Sequence, residues 1–342
     1  MRNIVKVTTA AAVFGALLPI PALAQSGAIL GEIMDRGVLR CGVYQNVPGL
    51  AFLDSAGRWQ GFDVDYCRAL AAALFGDGDA VEFVPMTFAQ GMPAVSTREV
   101  DVAALAITYT IGRDTALGFN FVGPTLYSGQ GFMVHQRTGA TELADLDGAS
   151  ICVVAGTVTD SMLSDFFGAR GWTYTPVAFA DSNQRYEYYE NGRCDVVTSE
   201  IPFLGTRRQT LRNPDEHLIL EETFVKSHMG PVVLESDPKW SNVARWVHYA
   251  LLQAEEYGID QENIEAMLET DDPELQRFLG ITDSIGADMG LANDFTVHIV
   301  RAVGNYHDVW ERNFGMRSAV GLPRGMNALP QDGGLQWSPN WR

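Results

Sequence analysis

In "AALAITYTIGRDTALGF" (residues 103–119), Arg113 follows an apolar run, with Thr108 and Thr110 just before it. A guanidinium can clamp a carboxylate through two parallel N–H donors. The Thr110 hydroxyl is placed to cap a short helix starting near residue 111, whose free N–H groups favour an anion. The stretch "VDVAALAI" (100–107) has the near-continuous apolar run of a buried strand. In open parallel sheets, ligands meet the carboxyl ends of strands, and Arg113 lies just past such an end. From spacing alone, a solvated Arg113–Asp114 surface is an equal reading. The surrounding architecture must decide.

Few other patterns in the chain carry chemistry. Its six histidines are scattered, with no H-E-x-x-H, and its four cysteines form no C-x-x-C. Neither a metal site nor a redox motif is supported. No cofactor is expected. No nucleophile–histidine pairing stands out, so an enzyme is not expected.

The 342 residues suffice for two ordinary domains, and 46% hydrophobic content is that of a chain with a packed core. Residues 1–24 are expected to be a cleaved export signal. Arg2 and Lys6 are followed by the apolar "VTTAAAVFGALLPI", and "ALA" precedes Gln25. The run is too short for a membrane anchor. The formal charge of −18 becomes −20 without those two basic residues. A chain this acidic has no electrostatic attraction for nucleic acid or an anionic membrane.

Strands and helices then alternate. Strand patterns at 39–44, 80–85 and 100–107 enclose a helical stripe at 61–76 (Val64, Cys67, Leu70, Ala71, Leu74) and a short helix at 88–97. The pattern restarts with strands at 148–156, 174–180 and 193–199 and helices at 159–171 and 182–192. "EVDVAAL" and "RCDVVTS" each set Asp-Val at the mouth of a buried strand, which suggests two lobes of similar design. Extended stretches at 128–139 and 225–236 read as two crossings between them. The remainder is helical, with single stripes at 237–258 and 292–315. This is an α/β chain with parallel sheets covered on both faces. Two lobes joined by two strands imply a cleft with a hinge.

Four cysteines in an exported protein suggest two disulfides, with three pairings possible. Cys41 and Cys67 lie on the inward faces of the first strand and helix, and Cys152 and Cys194 on two strands of the second lobe. Pairing within each lobe leaves the lobes free to move. Four reduced core cysteines are the alternative.

Nearly the whole mature chain resembles the periplasmic amino-acid-binding proteins of ABC transporters, and more narrowly the general L-amino-acid receptor subfamily. The resemblance rests on runs such as "LRCGVYQNVPG", "GFDVDYCRALAAALFGD", "VDVAALAITYTIGRDTALGFNF", "NGRCDVVTSE", "VGNYHDVWERNFG" and "PRGMNALPQDGGLQWSPNWR". It implies a two-lobed periplasmic-binding-protein fold (type 2), with two hinge crossings and a helical C-terminal extension. Lobe one would comprise residues 25–133 and 230–342, and lobe two residues 134–229.

By the same resemblance Arg113 holds the ligand α-carboxylate and Thr108 assists. The turn Gly156-Thr157-Val158 supplies hydrogen bonds, and Glu200 receives the α-ammonium. Some members stack an aromatic on the ligand at the position of Phe88, which is equally readable here as core. The chain departs from the pattern at Ala104, Leu105 and Ala106, where relatives carry polar residues. It departs again at Val158, in place of a threonine, and at Glu200, in place of an aspartate. The implied function is that of a monomeric periplasmic receptor, delivering an amino acid or related carboxylate to a membrane permease. Exported dehydratases share this fold, as do sensory receptor modules, and these are the alternatives.

Overall fold

The computed structural model describes residues 27–155, 158–179 and 182–342. The expected signal segment, Thr157 and the Val158 side chain lie outside what is described.

The first half of the chain contributes helix α1 (Ala28–Arg36), strands β1 (Leu39–Tyr44), β2 (Phe52–Leu53) and β3 (Trp59–Gln60), then α2 (Phe62–Phe75) and β4 (Val81–Met86). There follow α3 (Phe88–Ser96), β5 (Val102–Thr108), α4 (Ile111–Ala116), β6 (Phe119–Phe121) and the long β7 (Leu126–His135). Next come β8 (Ser150–Val154), α5 (Val158–Arg170), β9 (Thr175–Phe179), α6 (Ser182–Glu190), β10 (Val196–Glu200) and α7 (Ile201–Arg208). Short β11 (His217–Ile219) precedes β12 (Val225–Leu234) and the long helix α8 (Pro238–Glu256).

One mixed sheet runs β4-β1-β5-β12-β7-β10-β8-β9, with β6 on β12 and β11 on β7. Its two ends are built alike. β4, β1 and β5 are parallel and bordered by antiparallel β12, while β9, β8 and β10 are parallel and bordered by antiparallel β7. Apolar clusters cover both faces of each end, which is why β5 and β8 read as near-continuous apolar runs.

The two Asp-Val mouths do the same job in both lobes. Asp101 N–H donates to Arg40 O at 2.9 Å, and its carboxylate accepts Arg40 N–H at 2.8 Å. Asp195 N–H donates to Ser150 O at 2.9 Å, and its carboxylate accepts Ser150 N–H at 3.0 Å. Each aspartate registers its strand against the neighbour that starts the lobe.

β7 and β12 are the crossings. They pair with each other over Leu126–Gln130 and Val225–Met229, with Ser128 opposite Ser227. Beyond that ladder β7 joins β10 and β12 joins β5. The architecture is therefore the expected two-lobed α/β fold with two hinge crossings.

The two disulfides close within the lobes. Cys41–Cys67 spans 6.3 Å between Cα atoms and Cys152–Cys194 spans 5.8 Å. Cys194 itself lies two residues before β10 rather than on it.

Two helical expectations need correction. α2 is buried on nearly every face, not along one stripe, because β1 and β5 lie on one side and later helices on the other. This buries Asp63 and Asp65 as well. Asp65 is paired with Arg312 at 2.9 Å and accepts Asn313 Nδ2–H at 2.7 Å. The expected single helix at 292–315 is two, α12 (Phe295–Val303) and α13 (Tyr306–Asn313), given that α9 (Ile264–Met267), α10 (Pro273–Phe278) and α11 (Ile285–Met289) precede them. Gly304 breaks it at φ 77°, where a Cβ would meet Asp308 Oδ2 at 2.4 Å. Asn305 then caps the second helix by accepting Asp308 N–H at 3.0 Å. The stripe residues still face inward on both pieces.

After α13 the chain runs to residue 342 with only short 3₁₀ turns, and it is tied to the hinge. Asn327 bonds the backbone of Tyr127 on both sides, accepting its N–H at 2.7 Å and donating to its O at 2.8 Å. Trp341 is buried against Trp246, Phe278 and Phe295.

Candidate ligand-binding site

Arg113 stands where the loop beyond β5 turns into α4. The Thr110 hydroxyl caps that helix by accepting Arg113 N–H at 3.3 Å. The guanidinium folds back so that Nη1 donates to Thr108 O at 2.7 Å. Its Cζ lies 5.1 Å over the ring of Phe88, a cation–π distance. Phe88 opens α3 and is 37% exposed, so it belongs to the cleft surface and not to the core.

Glu200 ends β10, opposite Gln130 of β7, and is buried. Its Oε1 accepts from Thr108 Oγ1 at 3.2 Å and from Gln130 Nε2 at 2.9 Å. Its Oε2 accepts from Ser227 Oγ at 3.0 Å. Thr159, in the first turn of α5, in turn donates to Gln130 Oε1 at 3.1 Å. The carboxylate is thus held over the Ser128–Ser227 crossing. Thr108 of one lobe meets Glu200 of the other. Burial pushes the Glu200 carboxyl above the usual range, while the Ser227, Ser128 and Thr108 hydroxyls and the Arg113 charge pull it back. Burial also lowers Arg113, against the attraction of Tyr44 and Glu200.

Tyr44, at the carboxyl end of β1, was not anticipated. Burial raises its phenol most, with Asp63 and Glu200 adding to the rise and Arg113 opposing it. One side chain therefore lies within the field of both candidate ligand charges. The strand-end rule that pointed to Arg113 applies equally to Tyr44. Gln130, Ser128 and Ser227 carry no such signal, because they sit inside the crossings and meet Glu200 only once β7 and β12 pair.

The run Ala104-Leu105-Ala106 divides. Ala104 and Leu105 are core residues, packed in clusters on opposite faces of β5. Leu105 fills the space beside Gly91, where a Cβ would approach it to 2.3 Å. Only Ala106 stands out, with φ 42° beside a bulge in the β5–β12 ladder. Its N–H bonds the carboxyl of Asp63, whose Oδ2 has no partner.

Burial raises the Asp63 carboxyl to about 7. A carboxyl that holds its proton longer in the folded state stabilises the protein less as pH rises from its unfolded value near 4 to about 7. Buried His248, lowered to about 4 chiefly by burial, works the other way and removes stability as pH falls from about 6.5. Asp63→Asn is expected to remove the first slope and leave the second. In urea unfolding, its stability relative to the wild type should improve between pH 4.5 and 7.5; a constant difference would contradict the assignment.

Residues 39–279 match the family of bacterial extracellular solute-binding proteins, family 3. The chain belongs to this family. The general L-amino acid-binding periplasmic protein AapJ of Rhizobium johnstonii is 42% identical over 331 residues, covering 96% of this chain and 97% of its own. The glutamate/glutamine/aspartate/asparagine-binding protein BztA of Rhodobacter capsulatus is 42% identical over 328 residues, with 96% and 97% covered. An ABC transporter/periplasmic binding protein from Brucella ovis with glutathione bound superposes with a TM-score of 0.88 at 43% identity, covering 92% of this chain and 99% of that one.

As a family 3 solute-binding protein, the chain is an extracytoplasmic receptor and not a catalyst. The site accords with that role. It offers a cation on one lobe, a carboxylate on the other and a hinge beneath both.

Proposed function

We propose that the protein is the periplasmic receptor of an ABC importer, and that its cleft binds an amino acid or amino-acid-like carboxylate. Arg113 takes the α-carboxylate, with Thr108 beside it and Phe88 forming the adjacent wall. Glu200 takes the α-ammonium, and the turn at Thr157 and Val158 donates to the ligand from the second lobe. The lobes divide as residues 25–133 with 230–342, and 134–229. The exported chain loses residues 1–24 and works as a monomer that delivers its solute to a membrane permease. The names of AapJ and BztA favour an amino acid.

One observation carries this reading. Thr108, whose carbonyl accepts from Arg113, also donates to Glu200, so cation and carboxylate meet through one residue at the hinge. An unpaired buried charge costs several kcal/mol, roughly 3–5 when one partner of a pair is removed. A zwitterion is therefore held well only when both charges are matched, which favours the closed cleft by differential contact. In return, a ligand ammonium must share Glu200 with Thr108.

The test is a thermal-shift series of L-amino acids, each compared with its decarboxylated amine and its α-keto acid. A tight ligand raises apparent stability by mass action. At least one amino acid is expected to stabilise the protein while both of its one-charge analogues do not. Stabilisation by none of the amino acids would overturn the reading.

A further inference from the structure

The second lobe holds a buried cation that the zwitterion site does not use. Arg185 lies in the first turn of α6, and only 6% of the residue is exposed. Its Nη1 donates to Thr198 O at 2.9 Å, and its Nη2 donates to Ser199 Oγ at 3.0 Å and to Tyr186 OH at 3.2 Å. The guanidinium carbon lies 4.8 Å over the Tyr186 ring, which Arg207 also approaches, at 5.4 Å. The Arg185 Nε is buried with no hydrogen-bond partner. Each of these partners is neutral. Among the described residues no carboxylate comes within ion-pair distance of it.

Arginine does not lose its charge inside proteins. A buried guanidinium without a counter-ion is therefore costly until an anion reaches it. Arg185 sits at the strand ends of the second lobe. Thr198 and Ser199, the two residues it grips, immediately precede Glu200 at the carboxyl end of β10. α6 itself follows the carboxyl end of β9. In open parallel sheets this is the side on which ligands lie.

We propose that Arg185 recognises a second carboxylate on the ligand and makes the receptor selective for acidic amino acids over their amides. The proposal rests on the zwitterion reading above. Arg113 and Glu200 hold the α-carbon groups, and Arg185, oriented by Ser199 and Tyr186, meets the acidic side chain. An amide side chain of the same shape would leave the guanidinium without its anion. Charge-assisted hydrogen bonds are about twice as strong as neutral ones, so a discrimination of roughly tenfold or more is expected.

Calorimetry with L-glutamate and L-glutamine, and with L-aspartate and L-asparagine, tests this on the wild type, Arg185→Gln and Arg185→Lys. The wild type should bind the better acid at least about tenfold tighter than its amide. Arg185→Gln should abolish that ratio while leaving the amide within about twofold, and Arg185→Lys should keep part of it. Equal wild-type affinities for acid and amide would overturn the proposal without any variant, as would an unchanged ratio in Arg185→Gln. Binding of amino acids without this discrimination defeats only the role of Arg185. Binding of no amino acid by the wild type defeats the zwitterion reading and this proposal with it.

Discussion

Arg113→Ala is expected to weaken amino-acid binding by at least about a hundredfold, because it removes a bidentate charge-assisted pair and strands the ligand carboxylate in a closing cleft. The free protein should barely notice. The side chain is only half buried, and its direct contacts are one bond to Thr108 O and the face of Phe88. Arg113→Lys keeps the charge but not the planar fork, so it should fall between the two. Calorimetry reads the affinity and thermal unfolding reads the stability. Unchanged affinity in Arg113→Ala would remove the carboxylate clamp, and a large loss of stability with proportionate loss of binding would make the residue structural.

The second large effect is on folding. Asp237, almost fully buried, caps two helices at once. Its Oδ1 accepts the N–H groups of Lys239 and Trp240 at the start of α8, and that of Gly27 at 3.0 Å. Its Oδ2 accepts Ile29 N–H at 2.8 Å and Leu30 N–H at 3.0 Å at the start of α1. A single cap is worth about 1 kcal/mol, and each buried donor left unpaired adds roughly 1–3 kcal/mol. Asp237→Ala should therefore lose on the order of 3–5 kcal/mol in urea unfolding, among the larger values for a point substitution. Asp237→Asn, which keeps one acceptor oxygen, should lose less. A loss below about 1 kcal/mol would show that water or neighbouring groups satisfy these donors instead.

Asp237 also shows where a linear reading stops. Asp before Pro in "SDPKW" marks a helix start within its own segment. Nothing local tells that the same carboxylate also holds a helix some 210 residues away. β5 and β8 were legible because burial on both faces leaves near-continuous apolar runs, and the paired Asp-Val mouths because each serves the same registering role. The stripe at 292–315 was legible as burial but not as two helices. The apolar period continues across Gly304, and only the positive φ and the Asn305 cap reveal the break.

For the site, residues at strand ends were within reach, and Thr108 bonds both Arg113 and Glu200. The polar group beneath them was not. Gln130, Ser128 and Ser227 lie on stretches that read simply as extended chain, and their partner Glu200 is defined by pairing across the hinge. Arg185 was missed for another reason. In "SNQRYEYYENG" it looks like one more polar residue of a helix, and only the fold shows that it is buried with no counter-ion among the described residues.

The most direct test of the receptor reading is a calorimetric titration of the wild type with its best-stabilising amino acid, beside the matching decarboxylated amine and α-keto acid. Micromolar affinity, about −8 kcal/mol, is expected for the amino acid, with both analogues at least about a hundredfold weaker. If either analogue binds as tightly as the amino acid, the cleft does not read a zwitterion through Arg113 and Glu200.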